Sequence, residues 1–285
     1  MNRPGRRVGR GGLRPAVAVL AALLVAVVVG VVQVRAPGGI DEQPPAATIS
    51  PEPLSAEPEP LTSAPEPLSA AIIDQLGATL PSAEFASSCL ELLEAAGYRV
   101  DYYSSEQVTV DFYRELPSYG YDLVLFRTHV GRTRRVDLDT GKVTWPDYVS
   151  IFTGEPYDGP DKYLKQGVGL GEYLDISAPP VYAVTARFFE LIMEGRFDDT
   201  VVVMMGCDGL RWPRTAEAFL GKGAKAFVSW NDYVTADHSD RSTLRLLEMM
   251  FEEARPLEEA VSETSAELGP DPWYAGEIQV VSRPG

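Results

Sequence analysis

Three short runs in this chain are largely apolar: Tyr121–Phe126, Thr200–Met205 and Ala224–Trp230. Runs of that length without polar alternation read as strands buried on both faces, and they constrain the fold more than any other feature. Ala70–Asp74, Tyr98–Tyr103 and Tyr148–Phe152 add further strand candidates. Helical patterns fall between them. Residues 82–96 put Phe85, Cys89, Leu92 or Leu93, and Ala96 on one face, with Gly97 as a stop. Thr185–Glu194, Arg214–Lys222 and the amphipathic Arg241–Glu253 also have helical spacing. This strand–helix rhythm predicts an α/β domain over residues 71–285, a three-layer sandwich around a mostly parallel sheet. In such sheets ligands bind outside the carboxyl ends of the strands.

Before that domain the composition changes twice. Residues 16–34 are apolar apart from Gln33, long enough for a helix to cross a bilayer. Five arginines and no acid precede them, so residues 1–15 read as a basic cytoplasmic tip and 16–34 as a transmembrane signal anchor. The domain beyond then lies outside the membrane. The alternative is a cleaved signal peptide and a secreted domain, although Arg35 and Pro37 make a poor cleavage site. Residues 35–70 repeat Glu-Pro-Leu with Ser and Ala, which reads as a disordered, extended stalk.

Charge narrows the function. The net charge is -16, and six arginines lie in the first 35 residues, leaving 19 basic residues against all 41 acids. So acidic a body excludes a nucleic-acid binder, which would need clustered Lys and Arg. Two cysteines and two histidines exclude a disulfide-dense scaffold, a four-cysteine zinc site and a multi-histidine metal centre. No cofactor or metal is implied.

Two chemically able residues stand where a parallel sheet places ligands. The run ending at Phe126 leads to His129, Val130 and Gly131, and the run ending at Met205 leads to Gly206, Cys207, Asp208 and Gly209. An imidazole can take the thiol proton, and glycine turns can offer backbone N–H groups to an oxyanion. Each residue also has a bland interpretation, Cys207 as a small core residue and His129 as a hydrogen-bonded turn residue. Cys89, on the apolar face of its helix, reads as packing; a Cys89–Cys207 disulfide is left open.

The segments around His129 and Gly206-Cys207-Asp208-Gly209, with Thr215–Trp230 after them, resemble caspase-like cysteine peptidases of the CHAT, clostripain and separase type. The resemblance implies a caspase-like sheet, His129 as general base, Cys207 as nucleophile, and Gly131, Gly206 and Gly209 at the oxyanion hole and its turns. It also implies Asp232, with Asp208, near the pocket for the substrate side chain before the scissile bond, where acids favour Arg or Lys. The substrate would be a peptide or protein. Two departures stand out: Val130 follows His129 where the family has Gly, and the Asp208 carboxylate opposes thiolate formation. A catalytically inactive binding or sensing domain on a membrane stalk is the alternative function.

Other clusters say less. Asp237–Asp240 reads as the cap of a helix starting near Ser239, and Gly167–Gly171 as a flexible loop. The aromatics from Trp145 to Tyr173 read as core. Arg132, Arg134 and Arg135 form the densest basic knot in the acidic body.

Overall fold

The computed structural model describes residues 67–132, 135–136, 140, 142–173 and 177–284. The expected basic tip, membrane span and most of the stalk lie outside these residues. Among the described ones, no helix is long and apolar enough to cross a membrane.

The chain begins with β1 (Ser69–Asp74), α1 (Ala83–Ala95), β2 (Arg99–Ser104), α2 (Val110–Glu115) and β3 (Leu123–Arg127). Six short strands follow: β4 (Val130–Gly131), β5 (Arg135–Val136), β6 (Val143–Thr144), β7 (Ser150–Pro156), β8 (Val168–Gly171) and β9 (Val181–Thr185). The chain then passes through α3 (Ala186–Leu191), β10 (Val201–Met204), α4 (Arg214–Gly221) and β11 (Ala226–Trp230). It ends with α5 (Ala236–Phe251), α6 (Leu257–Leu268) and β12 (Ile278–Ser282).

Six strands form the main sheet in the order β12-β11-β10-β3-β1-β2. Every neighbouring pair is parallel except β11 with β12. Successive side chains along each strand enter opposite faces, as the period of two requires. Ile73, Val124, Phe126, Val202 and Met204 pack with Tyr113, Phe188 and Phe219 from α2, α3 and α4. Ile72, Leu123, Leu125, Val203 and Trp230 pack with Phe85 of α1, Leu246 of α5 and Val261 of α6. Both faces are thus covered, and the expected α/β architecture with a mostly parallel sheet is present. On α1, Phe85, Cys89 and Leu93 are the buried stripe, Ser82 accepts the Phe85 N–H as N-cap, and Gly97 ends the helix at φ 88°.

Three sequence expectations are corrected. Tyr148–Phe152, expected as a strand of the mostly parallel sheet, leads into β7 of a second, antiparallel sheet, β4-β7-β9-β8. Gly167–Gly171 is no flexible loop: Val168–Gly171 is β8, paired along β9. Its two glycines leave no alternating side-chain signal to read. The helix expected from Ser239 starts at Ala236, with Thr235 as N-cap accepting the His238 N–H at 3.2 Å. A β-branched hydroxyl one turn upstream does the capping, which releases Asp240 for a buried partner. The second sheet docks at Gly154, where any Cβ would overlap the Ser105 carbonyl.

That partner is Arg127, at the exit of β3. Its guanidinium donates to Asp240 through Nε (2.9 Å) and Nη2 (3.0 Å), to Asp74 through Nη1 (2.9 Å) and to the Leu80 carbonyl (3.0 Å). Arg127 and Asp74 are both buried, and Asp74 also accepts from Tyr102 and the Gly77 N–H. Removing one member of a buried ionic cluster leaves uncompensated charge, which costs far more than losing an exposed pair. Arg127→Ala is expected to lower stability by about 3–5 kcal/mol in urea denaturation. Breaking the exposed Arg241–Asp237 pair by Arg241→Ala should cost less than about 1 kcal/mol.

Candidate functional site

In the parallel pair of β3 with β10, Phe126 is in register with Met204. His129 and Cys207 each lie three residues beyond those partners, so the topology delivers both to one edge of the sheet. They line a single small cavity of about 40 Å³, together with Leu76, Val130, Gly206 and Thr235. Gly206 is required there, since a Cβ would meet Val130 Cγ2 at 2.0 Å. Val130 is therefore matched by a glycine opposite.

His129 is held from several sides. Its backbone N–H donates to Gln75 Oε1 at 2.9 Å, and its carbonyl accepts the Phe152 N–H at 3.0 Å. Its ring meets Tyr173 edge-on at 5.1 Å between centroids, and Nε2 lies 2.9 Å from Thr79 Oγ1. The Thr79 hydroxyl also reaches the Leu76 carbonyl at 3.3 Å. When the hydroxyl donates there, Nε2 carries the ring proton and Nδ1 is the acceptor. Burial, reinforced by the nearby Arg127 charge, pushes the imidazole down to about 4.

Cys207 is partly exposed and contacts the Val234 carbonyl at 3.6 Å. Burial of its sulfur, with the Asp208 and Asp271 charges adding to it, pushes the thiol up to about 11. The Val234–Thr235 segment is pinned by Asp271, whose carboxylate accepts the Thr235 N–H and hydroxyl and the Trp273 and Tyr274 N–H groups. Burial alone would raise the Asp271 carboxyl; these donors outweigh it and hold it below its ordinary value. Cys89 and Cys207 are both free thiols, so the disulfide left open does not form. Cys89 is fully buried in the core.

Asp208 is buried at φ 60°, and its Oδ1 has no hydrogen-bond partner, with Arg211 3.7 Å away. Burial pushes its carboxyl up to about 6, Asp232 adding to the rise and Arg211 opposing it. Asp232 accepts from Arg211 at 2.6 Å and from the Tyr233 N–H at 2.8 Å. Gly209 packs under Ser229, and Gly131 lies in β4 opposite Ser150. Arg132 stacks on Trp212 with its guanidinium 3.6 Å from the ring centre and donates to the Pro146 carbonyl. Arg134 lies outside the described residues. Among the described residues, no group of three or more His, Cys, Asp or Glu side chains is arranged to hold a metal ion.

Sequence reasoning missed Gln75, Thr79, Arg127 and Asp271. Gln75 is fully buried; besides the His129 N–H its Oε1 accepts from Thr128, and its Nε2 donates to Tyr173 at 2.8 Å. The signal for it was present, because Asp74 and Gln75 end an apolar run just as His129 and Cys207 follow theirs.

No family model and no curated protein matches the chain. Among solved structures it is similar to the protein GSU0716 from Geobacter sulfurreducens, at 13% identity and a TM-score of 0.38. That alignment covers 77% of this chain and 95% of the other.

Two measurements follow from these surroundings. His129 is depressed from 6.5 to about 4 in the folded state, so its stabilisation is complete above pH 6.5 and is lost as pH falls toward 4. Asp208, raised from 3.8 to about 6, acts in the opposite sense, favouring the fold at low pH and losing that contribution as pH rises through 6. In urea melts across this range, His129→Gln should remove about 3 kcal/mol of acid sensitivity, and Asp208→Asn should remove an opposing slope. Asp208→Asn also retains a residue type tolerant of positive φ while deleting one charge that opposes the thiolate. The Cys207 titration midpoint, followed by thiolate absorbance, should fall in this variant.

Proposed function

We propose that the chain is a membrane-tethered cysteine hydrolase, a caspase-like peptidase by its resemblance, with Cys207 as nucleophile and His129 as base. The observation that carries this reading is the equivalent position of the two residues at the exits of registered parallel strands, both lining one cavity. The arginine-flanked apolar span at 16–34 supports the tether, with the domain on the extracytoplasmic side.

The chemistry follows from the protonation states. Burial keeps the resting pair neutral, the thiol raised and the imidazole lowered. Proton transfer from Cys207 to the His129 ring therefore accompanies attack on the substrate carbonyl, when a forming S–C bond offsets the cost of the buried charges. The imidazolium then gives that proton to the leaving amine as the C–N bond breaks. Water, deprotonated by the same imidazole, cleaves the thioester and restores the thiol. Thr79 would hold the ring in the tautomer that presents Nδ1 as acceptor, and Gln75 would fix the backbone beneath it.

The space around the pair is only about 40 Å³, with Val130 among its walls, little beside the volume of a peptide. This favours a second reading, a caspase-like domain that binds a partner without cleaving it. Iodoacetamide labelling of the full chain separates the two, with buried Cys89 as internal control. For the hydrolase, Cys207 should react stoichiometrically near neutral pH, and His129→Ala should slow it by about tenfold or more. A Cys207 that stays inert in the folded protein, or one indifferent to His129→Ala, leaves the binding domain as the better account.

A further inference from the structure

A second cavity, of about 470 Å³, has Thr79 in its wall. Ala78, Thr79, Gly154, Tyr173, Ala178 and Val181 are among its walls. Two of these walls also touch the proposed base: Thr79 through its hydroxyl at 2.9 Å and Tyr173 through its ring. A group seated there would rest against the residues that orient His129. Its volume is in the range of small-ligand sites.

The described lining is uncharged. Among the described residues none of its walls is Asp, Glu, Lys or Arg, and its polar atoms are hydroxyls and backbone. The nearest candidates for a basic-residue pocket, Asp208 and Asp232, both face Arg211 of the same chain. A substrate arginine would have to displace that internal one, leaving its guanidinium unpaired, whereas a neutral side chain entering the large cavity displaces no ion pair. We propose that the 470 Å³ cavity is the substrate-specificity subsite, and that it takes an uncharged aromatic or branched aliphatic side chain. The proposal rests on the His129–Cys207 reading for the identity of the substrate as a peptide.

Binding measured without the nucleophile tests it. The full chain carrying Cys207→Ala, in lipid nanodiscs with empty nanodiscs as blank, is titrated with acetyl-dipeptide amides that differ only in Phe or Arg. The Phe ligand should bind about tenfold more tightly or better. Ala178→Trp, which fills the cavity, should weaken it by at least a comparable factor, and Ala78→Leu on another wall guards against a folding failure of the first variant. Equal or tighter binding of the Arg ligand, absence of Phe binding, or binding unchanged in both filled variants overturns the proposal. Failure of the hydrolase reading would appear separately, in the iodoacetamide labelling, since these ligands need no thiol.

Discussion

The buried guanidinium of Arg127 is the constraint on which the site depends. A desolvated cation at the exit of a central strand is tolerable only when its donors are met, and Asp74, Asp240 and the Leu80 carbonyl meet them. Each partner comes from a different element: the end of β1, the first turns of α5, and the loop before α1. One side chain therefore ties together three segments that surround the cavity. Gln75 follows Asp74 directly and holds the His129 backbone, and Thr79 precedes Leu80 and meets the His129 ring. The start of α5 leads back to Thr235, beside Cys207.

The same cation sets the chemistry. Its field adds to burial in keeping the His129 imidazole neutral, the form a base needs before it accepts a proton. At the neighbouring strand exit, burial and two carboxylates keep Cys207 a thiol. The resting site stores no ion pair, so in the proposed reaction proton transfer has to accompany attack on whatever binds beside it. That makes the neighbouring space as important as the two residues. Val130 packs against Gly206 on one side, while the cavity walled by Thr79 and Tyr173 has no charged side chain among its described walls.

Legibility in the sequence followed burial. Strands covered on both faces, β3, β10 and β11, were readable because nearly all their side chains are apolar, and α1 because its stripe repeats every four residues. Of the second sheet only the Tyr148–Phe152 run, which leads into β7, was readable. β4 has only two residues, β8 is half glycine, and the sheet is held by pairings such as Val168 with Val184 that no local pattern encodes. The start of α5 was misread by one turn because Thr235 and Ser239 are equally good caps in isolation. Asp271 across the fold accepts the Thr235 N–H and hydroxyl and fixes that choice.

His129 and Cys207 could be singled out from sequence alone, since they follow apolar strands in an α/β rhythm and are able nucleophile chemistry. Their spacing of 78 residues carried no geometry. Strand order brought them together, because β10 pairs with β3 and places both exits in one register. Their protonation was decided in three dimensions as well, by burial and by Arg127, Asp208 and Asp271, whose effect depends on distance through the fold and not along the chain. Composition marked the body as acidic, and the strand–helix rhythm marked it as α/β. What surrounds the thiol, and which side chains are already spoken for, emerged only when distant carboxylates and one buried arginine met.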